Sequence, residues 1–492
     1  MNSSTEHIAE SMISIPKSEY ENLQSTLILL QDQLADLKRM IFGSKSEKFI
    51  ACVDNQLGLF GQIPRLDTIE PITEHISFHR TKVSKDKKQP VRGTLPAHLP
   101  RVEEIIEPNN LEPDAQCIGQ QITEILEYNP AKLFVRKIIR PKYALKNQGG
   151  IVIGDLPTLP IPKSNAGASL LAHITVSKFV DHLPFYRQRQ IFKRQDFQVS
   201  DSTLGGWFNA TADLLVPLYQ ILQREILKSD YIQADESPIG VQDSHKKGSL
   251  HSGYQWVYRA PVEGLVMFRY HKNRSRLAAI EVLNHFSGAL QTDGYKVYQN
   301  LQTQGEITLL GCMAHARRYF EKALDNDKNR AEHALTLFQK LYAIERKARN
   351  RSVTTQTRKR YRALCATPIL NQMELWLKEQ INLVLPKSLI GKAIAYTLNL
   401  WGNLKRYTLD GKFEIDNNLV ENTIRPLALG RKNYLFAGSH KAAQKAAMFY
   451  SFFATCKIND VEPLQWLTHV LNVIPDYKAN KLSELLPNNY QN

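Results

Sequence analysis

The chain has 492 residues and carries 63 Lys or Arg against 48 Asp or Glu, a formal charge of +15 at pH 7. Hydrophobic residues make up 43%, enough to form cores, and the excess of positive charge favours a polyanionic partner such as DNA, RNA or anionic lipid, with an ordinary basic protein as the alternative. The five cysteines are scattered, and the sequence has neither a basic-then-apolar N-terminus nor a long apolar run, so we expect a cytoplasmic protein without a disulfide framework, a signal peptide or a membrane span.

Residues 1–48 contain a leucine-rich pattern. From Tyr20 to Ile41 the apolar residues follow one another at alternating steps of three and four. This heptad spacing predicts a leucine-zipper-like coiled coil that joins copies of the chain into a homo-oligomer, although a single amphipathic helix packed on its own domain would show it too. Residues 49–95 end in a stretch rich in Lys, Arg, Pro and Gly and are predicted to be a linker.

Two units are predicted before the middle of the chain. Residues 96–162 form a small module with β-like stretches such as 132–139. Residues 163–228 look helical, and Ser200 is a candidate N-cap. Two short helices around a turn at 196–200 would make a candidate helix-turn-helix for DNA, an arrangement that is also common in proteins that bind no DNA.

Residues 229–440 change to alternating strands and helices. The order strand, strand, strand, helix, strand, helix, strand is that of a mixed α/β sheet. The predicted strands cover 231–235, 255–258, 265–269, 289–293 and 307–310, and the predicted helices cover 275–286 and 295–301.

A basic helical insertion is predicted at about 321–412. Eight basic side chains between 345 and 362 face one acid, Glu345, which indicates either a solvated helix face or a surface that contacts DNA. Residues 441–492 are predicted to be a C-terminal helical region.

Three carboxylates are candidates for chemistry. Asp235 and Asp293 end two predicted strands, and strand ends direct side chains into a shared cleft. Residues 416–426 open like a helix with Asp416 as N-cap, which puts Glu421 in the second turn near Asn418. Hard ions such as Mg²⁺ or Mn²⁺ prefer oxygen ligands, and two of them can activate an attacking oxygen and stabilise a leaving one. Taken singly, a strand-end Asp is more often a turn or cap residue than a catalytic one.

The segment after Glu421 is basic. Residues 422–459 contain six Lys or Arg and no acid, which suits a DNA backbone next to the third carboxylate, while a plain basic surface is the alternative. The candidate DNA contacts in this segment are Arg425, Arg431 and Lys432.

The motifs along the chain resemble those of the DDE transposases of bacterial insertion-sequence family sixty-six. The motifs that carry the resemblance are QLADLKRMIFGSKSEK at 33–48, AGASLLAHITVSK at 166–178, HLPFYR at 182–187, ADESP at 234–238, TDGY at 292–295, AHARR at 314–318 and DNNLVENTIRPLALGRKNYLFAGS at 416–439.

The resemblance implies an RNase H-like catalytic core with a mixed five-stranded sheet and a large helical insertion, in which Asp235, Asp293 and Glu421 bind two Mg²⁺ or Mn²⁺ ions. It also implies double-stranded DNA as partner, both terminal inverted repeats and target, and small accessory proteins encoded by the same element. The protein would then be nucleoid-associated. Arg317 and Arg318 are expected to contact DNA, with His315 and Asn418 in supporting roles.

One part of the family pattern is missing. The family usually carries a zinc-binding module with paired cysteines before the core, whereas here only Cys117 stands near the expected place, and Leu145 and Gln148 occupy positions where cysteines would be expected. A single Cys cannot close a tetrahedral zinc site, so no zinc is expected there.

Two rival functions stay open. A coiled-coil DNA-binding protein that has lost catalysis would explain the missing cysteines. A tyrosine recombinase is the other rival, because His315-x-x-Arg318 is followed by tyrosines such as Tyr342.

Overall fold

The computed structural model describes residues 95–108, 116–129, 132–145, 150–243, 249–299, 301 and 306–490. The coiled coil predicted over 1–48 lies outside these residues. The strands are β1 (Arg101–Ile105), β2 (Gln116–Asn129), β3 (Lys132–Leu145), β4 (Gly150–Ile153), β5 (Tyr231–Gln242), β6 (Leu250–Ala260), β7 (Leu265–His271), β8 (Gly288–Gln291) and β9 (Ile307–Leu310).

Fourteen α-helices lie within the described ranges. They are α1 (Ala168–Phe179), α2 (Phe185–Arg194), α3 (Asp201–Leu227), α4 (Arg276–Leu283), α5 (Lys296–Gln299), α6 (Met313–Glu321), α7 (Lys328–Asn350), α8 (Thr355–Tyr361), α9 (Thr367–Gln380), α10 (Leu389–Asn399), α11 (Trp401–Lys405), α12 (Asn418–Tyr434), α13 (His440–Ile458) and α14 (Pro463–Val473). A π-helical turn, Arg362–Ala366, joins α8 to α9, and 3-10 turns cover Ile381–Leu383, Arg406–Leu409, Ile474–Asp476, Ala479–Leu485 and Pro487–Asn489. In the parts of the chain described here, none of the helices has both the length and the apolar character for crossing a membrane.

Two sheets form the β structure. In the smaller one β3 is central: β1 pairs with it in parallel, β2 pairs antiparallel along its length, and β4 pairs antiparallel with its last four residues. The larger sheet has the order β7-β6-β5-β8-β9. Its first three strands are antiparallel neighbours, while β8 and β9 run parallel to β5. The predicted mixed five-stranded sheet is therefore present.

Helix α13 covers the β7 edge of the large sheet. The backbone N–H of Phe268 donates to Ser451 Oγ at 2.8 Å, and that of Val266 donates to Thr455 Oγ1 at 3.2 Å. Side chains of a helix thus take the place of the next strand, which protects an otherwise unpaired edge. Phe449, Phe452 and Phe453 of this helix are all buried in the core.

The first predicted strand of the large sheet was placed correctly but ended too early. We expected it to stop at Asp235, whereas β5 continues to Gln242 because it pairs with β6 from Gln233↔Arg259 to Gln242↔Leu250. Asp235 therefore lies inside a strand. Its parallel neighbour β8 is short and pairs with β5 only as far as Gln233↔Gln291, so Asp235 still lies just beyond the end of that pairing.

Two helix predictions also need correction. The helix after Ser200 is not short: α3 has 27 residues, and Ser200 caps it as predicted by accepting a hydrogen bond from Thr203 N. Helix α12 has Asn417, not Asp416, as its N-cap residue, and Glu421 lies in its first turn rather than its second. The Asp416 side chain still accepts a bond at 3.1 Å from the N–H of Asn418, the first residue of the helix, whereas a capping side chain usually accepts from the second or third. The domain boundaries stay predictions.

Candidate active site

Two glutamines set the positions of the two aspartates. Gln233 and Gln291 are direct partners in the parallel pairing of β5 with β8. Asp235 and Asp293 each follow two residues later, so each has the strand parity of its glutamine. The repeated pattern Gln-x-Asp therefore brings both carboxylates to the same level at one edge of the sheet.

Backbone contacts hold both aspartates. Asp235 Oδ1 accepts from the N–H of Glu236 at 2.8 Å, and Asp293 Oδ1 accepts from the N–H of Tyr295 at 2.8 Å. The second contact closes a tight turn in which Gly294 has φ +88°, a left-handed conformation that glycine adopts without strain. Asp293 therefore lies in a turn two residues beyond the end of β8.

A buried amide network joins the sheet to the helix that carries the third acid. Gln233 Nε2 donates to Gln291 Oε1 at 2.9 Å and to the carbonyl of Asp416 at 3.0 Å. Gln233 Oε1 accepts from Val420 N at 3.2 Å, one residue before Glu421. Both glutamines are fully buried, so each bond is shielded from water. The start of α12 is thus fixed against the two strands that carry the aspartates.

The electrostatics of the cleft show that like charges converge in it. The pKa of Asp235 is raised to about 8, first by burial and then by the neighbouring charges of Glu236, Asp293 and Glu421. Burial also raises the pKa of Glu236, although Arg274 and the hydroxyl of Tyr298 oppose that shift through hydrogen bonds. A pKa perturbed by burial and by acidic neighbours in a cleft is typical of functional sites.

Glu421 contacts helix α6. Its Oε2 accepts from Arg318 at 2.8 Å, and its Oε1 lies 3.7 Å from His315 Nδ1. Arg318 also contacts His315 Nε2 at 3.3 Å. Oε1 of Glu421 is buried and accepts no hydrogen bond from the residues described, so it is an anionic atom available to a cation.

A second set of possible ligands surrounds Glu421. Cys312, His315 and Glu421 each offer an atom within 4.8 Å of the others, whereas the oxygens of Asp235, Asp293 and Glu421 are not all that close to one another. One observation disfavours a cation between the first three residues: burial raises the pKa of the Cys312 thiol, and a protonated thiol is a poor metal ligand. The three carboxylates therefore share one cleft without forming so compact a set.

The other predicted site residues have different surroundings. Arg425 and Lys432 are exposed on α12. Arg431 is partly buried and donates to the carbonyl of Pro238 on β5. Asn418 donates through Nδ2 to Asp416 Oδ2 at 3.0 Å and so supports the start of α12 rather than Glu421 directly.

Arg317 and two members of the basic run point away from solvent. Arg317 is buried and pairs with Glu321 at 3.0 Å. In the run over 345–362, Arg358 and Arg362 both pair with the buried Glu345. These guanidiniums serve internal contacts in this structure.

Sequence reasoning missed Gln233, Gln291, Glu236 and Arg274. The signal for the glutamines was visible, because QAD and QTD repeat the same spacing at both predicted strand ends. The side chain of Glu236 is only 2% exposed and pairs with Arg274, 38 residues later. No local sequence pattern predicts a contact between residues so far apart.

Three family descriptions match the chain. "Transposase IS66 family" matches residues 163–445, "IS66 C-terminal element" matches residues 451–488, and "Transposase C of IS166 homeodomain" matches residues 29–103. The uncharacterized protein y4jD of Sinorhizobium fredii (strain NBRC 101917 / NGR234) is 31% identical over 499 residues, which cover 96% of each chain. The uncharacterized protein y4qI of the same organism is 30% identical over 506 residues, which cover 97% of this chain and 91% of the relative.

Proposed function

The chain belongs to the IS66 family of transposases, and from this premise we propose that it cuts and rejoins DNA with Asp235, Asp293 and Glu421 as its catalytic acids. The observation that carries the proposal is the convergence of charge at one cleft. Asp235 lies close enough to both other acids for their charges to raise its pKa, although 58 and 186 residues separate them from it in sequence (293 − 235 and 421 − 235).

The donor set fits hard divalent ions. Carboxylate oxygens are the ligands that Mg²⁺ and Mn²⁺ prefer, and a buried Glu421 oxygen without a hydrogen-bond donor fits a cation. Asp235 and Asp293 from the sheet and Glu421 from α12 would hold two ions. Such ions, when bound, lower the pKa of an attacking water or 3′-hydroxyl and stabilise the leaving oxygen.

The chain's own residues contribute positioning and charge balance. The Gln233–Gln291 network fixes the three acids relative to one another. Because the pKa of Asp235 is about 8, its carboxyl holds a proton at neutral pH in the absence of a cation and releases it when a cation binds. Arg318 balances the charge of Glu421 until then, and a 2.8 Å ion pair at a half-exposed site can rearrange at small cost.

We further propose an RNase H-like catalytic core. Three antiparallel strands continued by two parallel ones, in the order β7-β6-β5-β8-β9, support this proposal. So does the position of Asp235 on β5, of Asp293 just after the neighbouring strand β8, and of Glu421 on a later helix. The helices between β9 and α12 would be the insertion expected between the second and third acids.

The proposed substrate is double-stranded DNA, namely the terminal inverted repeats of the element and a target. The formal charge of +15 and the exposed Arg425 and Lys432 on the helix of Glu421 support a phosphate backbone as partner. Oligomerisation through the N-terminal segment, small accessory proteins of the same element and a nucleoid-associated location in the cytoplasm complete the proposal.

The surroundings of Tyr342 count against a tyrosine recombinase. Its hydroxyl donates to Asp416 Oδ2 at 2.7 Å, and burial raises its pKa well above the ordinary value. His315 and Arg318, the other half of that motif, both contact Glu421. A nucleophilic tyrosine would need a free hydroxyl near those two residues.

The decisive experiment is cleavage of labelled inverted-repeat DNA by purified protein with Mg²⁺. Asp293→Asn should lower the rate about a thousandfold while DNA binding persists, because it removes a ligand worth several kcal/mol in the transition state. Asp230→Asn is the matched control, since Asp230 is exposed next to the opposite end of β5.

Chelation of the divalent ion separates the rival functions. A metal-dependent transposase should lose all cleavage and leave no protein–DNA adduct. Cleavage that persists in chelator with a covalent adduct would establish a recombinase instead, and cleavage by Asp293→Asn at the parental rate would refute the catalytic assignment. Binding without any cleavage by the parental protein would leave the inactive DNA-binding alternative.

A further inference from the structure

A cavity of about 570 Å³ lies where α1, α2 and α3 meet the start of α13. Its apolar wall includes Phe185 and Phe208, and its cations are Lys178, Lys441 and Lys445. None of the described residues that line it is Asp or Glu. Three lysines around one concavity without an acid repel one another, so the cavity suits an anion.

Lys178 is the least expected of the three lysines. It is half-buried, and its ammonium lies 4.2 Å from the ring centroid of Phe185 and 5.6 Å from that of Tyr434. Within the described part of the chain no carboxylate pairs with it. Aromatic faces attract a cation but do not replace lost hydration fully, and burial accordingly lowers the pKa of Lys178 to about 8.

The other two lysines differ in how far they are engaged. Lys445 pairs with Asp213 at 2.8 Å and also donates to Asn209. Lys441 is exposed one turn earlier on α13, and no ion pair joins it to a carboxylate of the residues described. Among the described residues, two of the three cations at the cavity therefore lack an anionic partner.

The cavity lies on the same side of β5 as the candidate active site. Ile239 lines it and is four residues beyond Asp235, so the two side chains share one face of the strand. At about 3.3 Å per residue they are about 13 Å apart. For a duplex whose axis follows β5, that distance corresponds to about four base pairs, because successive base pairs in B-DNA rise about 3.4 Å.

We propose that this cavity binds a backbone phosphate of the DNA about four base pairs from the bond that is cut, with Lys178 and Lys441 as its cationic partners. The inference rests on the proposed function and extends it to residues outside the acidic cleft and outside the basic segment of α12. It assigns α1 to α3 a part in holding DNA through its backbone, independent of whether α2 and α3 read bases as a helix-turn-helix.

The test compares variants that remove one charge each and keep the carbon stem. Lys178→Met and Lys441→Met should each weaken binding of a short labelled DNA duplex about tenfold. Each should also reduce the slope of log affinity against log salt by about 0.9, the loss of one phosphate contact. Lys178→Arg should restore the slope. Lys387→Met, at an exposed lysine before α10, is the control and should change neither quantity.

Neutral methylphosphonates placed one at a time along the duplex locate the phosphate. One position about four base pairs from the cut should weaken binding by the parental protein but not by Lys178→Met. Unchanged affinity and slope in both methionine variants overturns the proposal, and Lys441→Met decides the matter if Lys178→Met does not fold, because Lys441 is exposed. Normal cleavage by the parental protein alongside unchanged variants would leave the proposed function standing and this site alone refuted.

Discussion

Two groups of carboxylates lie inside this protein, and their surroundings are opposite. Glu345 on α7 is fully buried, yet Arg362 binds both of its oxygens at 2.8 Å and Arg358 adds a bond at 2.9 Å. Burial alone would raise the pKa of Glu345, but the two arginines outweigh it and lower that pKa. Asp235 is also largely enclosed, but its nearest charges are acids, and its pKa rises to about 8.

The difference separates a structural use of buried charge from a functional one. Arg362 also donates to the carbonyls of Tyr407, Asp410 and Phe413. The pairing of Glu345 with its arginines therefore joins the helices after β9 to the segment that leads into α12. The acidic cleft lies beyond the same segment, and no arginine or lysine of the described residues pairs with Asp235 there. A buried carboxyl without a neighbouring positive charge is stabilised most by a ligand that brings such a charge.

The largest expected effect comes from removing one of the two arginines that pair with Glu345. Arg362→Met should lower the free energy of unfolding by about 3–5 kcal/mol, because it leaves Glu345 buried with one arginine fewer. Urea denaturation followed by circular dichroism measures this. Arg346→Met, an exposed member of the same basic run, should change stability by less than about 0.5 kcal/mol. Equal effects of the two substitutions would show that the internal pairs do not matter.

The second prediction concerns Mg²⁺, which would bring positive charge to the acidic cleft. Mg²⁺ at about 100 times its dissociation constant should stabilise the parental protein by about 2.7 kcal/mol, because the ion binds the folded chain only. Asp293→Asn should abolish most of this gain, while Asp230→Asn should keep it. The same denaturation experiment with and without Mg²⁺ gives the answer, and an Mg²⁺ response retained by Asp293→Asn would place the ion elsewhere.

The sequence predicts local features of this fold better than pairings between distant residues. Short apolar stretches between polar or glycine-bearing turns identified all five strands of the large sheet, since that pattern is local information. The extent of β5 beyond Asp235 was missed because its pairing with β6 decides it. Arg358 and Arg362 were interpreted as surface charges for a similar reason. Glu345, which pairs with Arg362, is 17 residues away and on a different helix.

The acids themselves were within reach of the sequence, but their support was not. Asp235 and Asp293 stand out because a carboxylate follows an apolar strand at each place. Gln233 and Gln291 precede them, and their burial depends on the parallel register of β5 with β8. A glutamine inside a strand usually faces solvent, so only the packed structure reveals that these two hold the cleft together.

The third prediction concerns Asp235→Asn, which replaces the enclosed carboxyl of the cleft by a neutral amide. With the pKa of Asp235 at about 8 in the folded chain and about 3.9 in the unfolded one, the folded state binds the extra proton between these values. This contribution to stability is fully present below about pH 4 and is lost as pH rises through 8. Without divalent ions at pH 8.5, Asp235→Asn should therefore be about 1–2 kcal/mol more stable than the parental protein. A variant less stable than the parental protein at that pH would contradict the picture of a strained cleft.

The smallest effect is expected at an ion cluster on the surface. Glu374 accepts bonds from Lys405 and Lys378, each at 2.9 Å, and these contacts lower its pKa to about 2. Stability from this shift is present above about pH 4.3 and is lost as pH falls toward 2. Lys405→Met should cost no more than about 1 kcal/mol at pH 7, and less at high salt, because water solvates the carboxylate that remains. If its cost approached that of Arg362→Met, the number of contacts rather than burial would set the energy of a pair, and the comparison between the two interior groups would lose its physical basis.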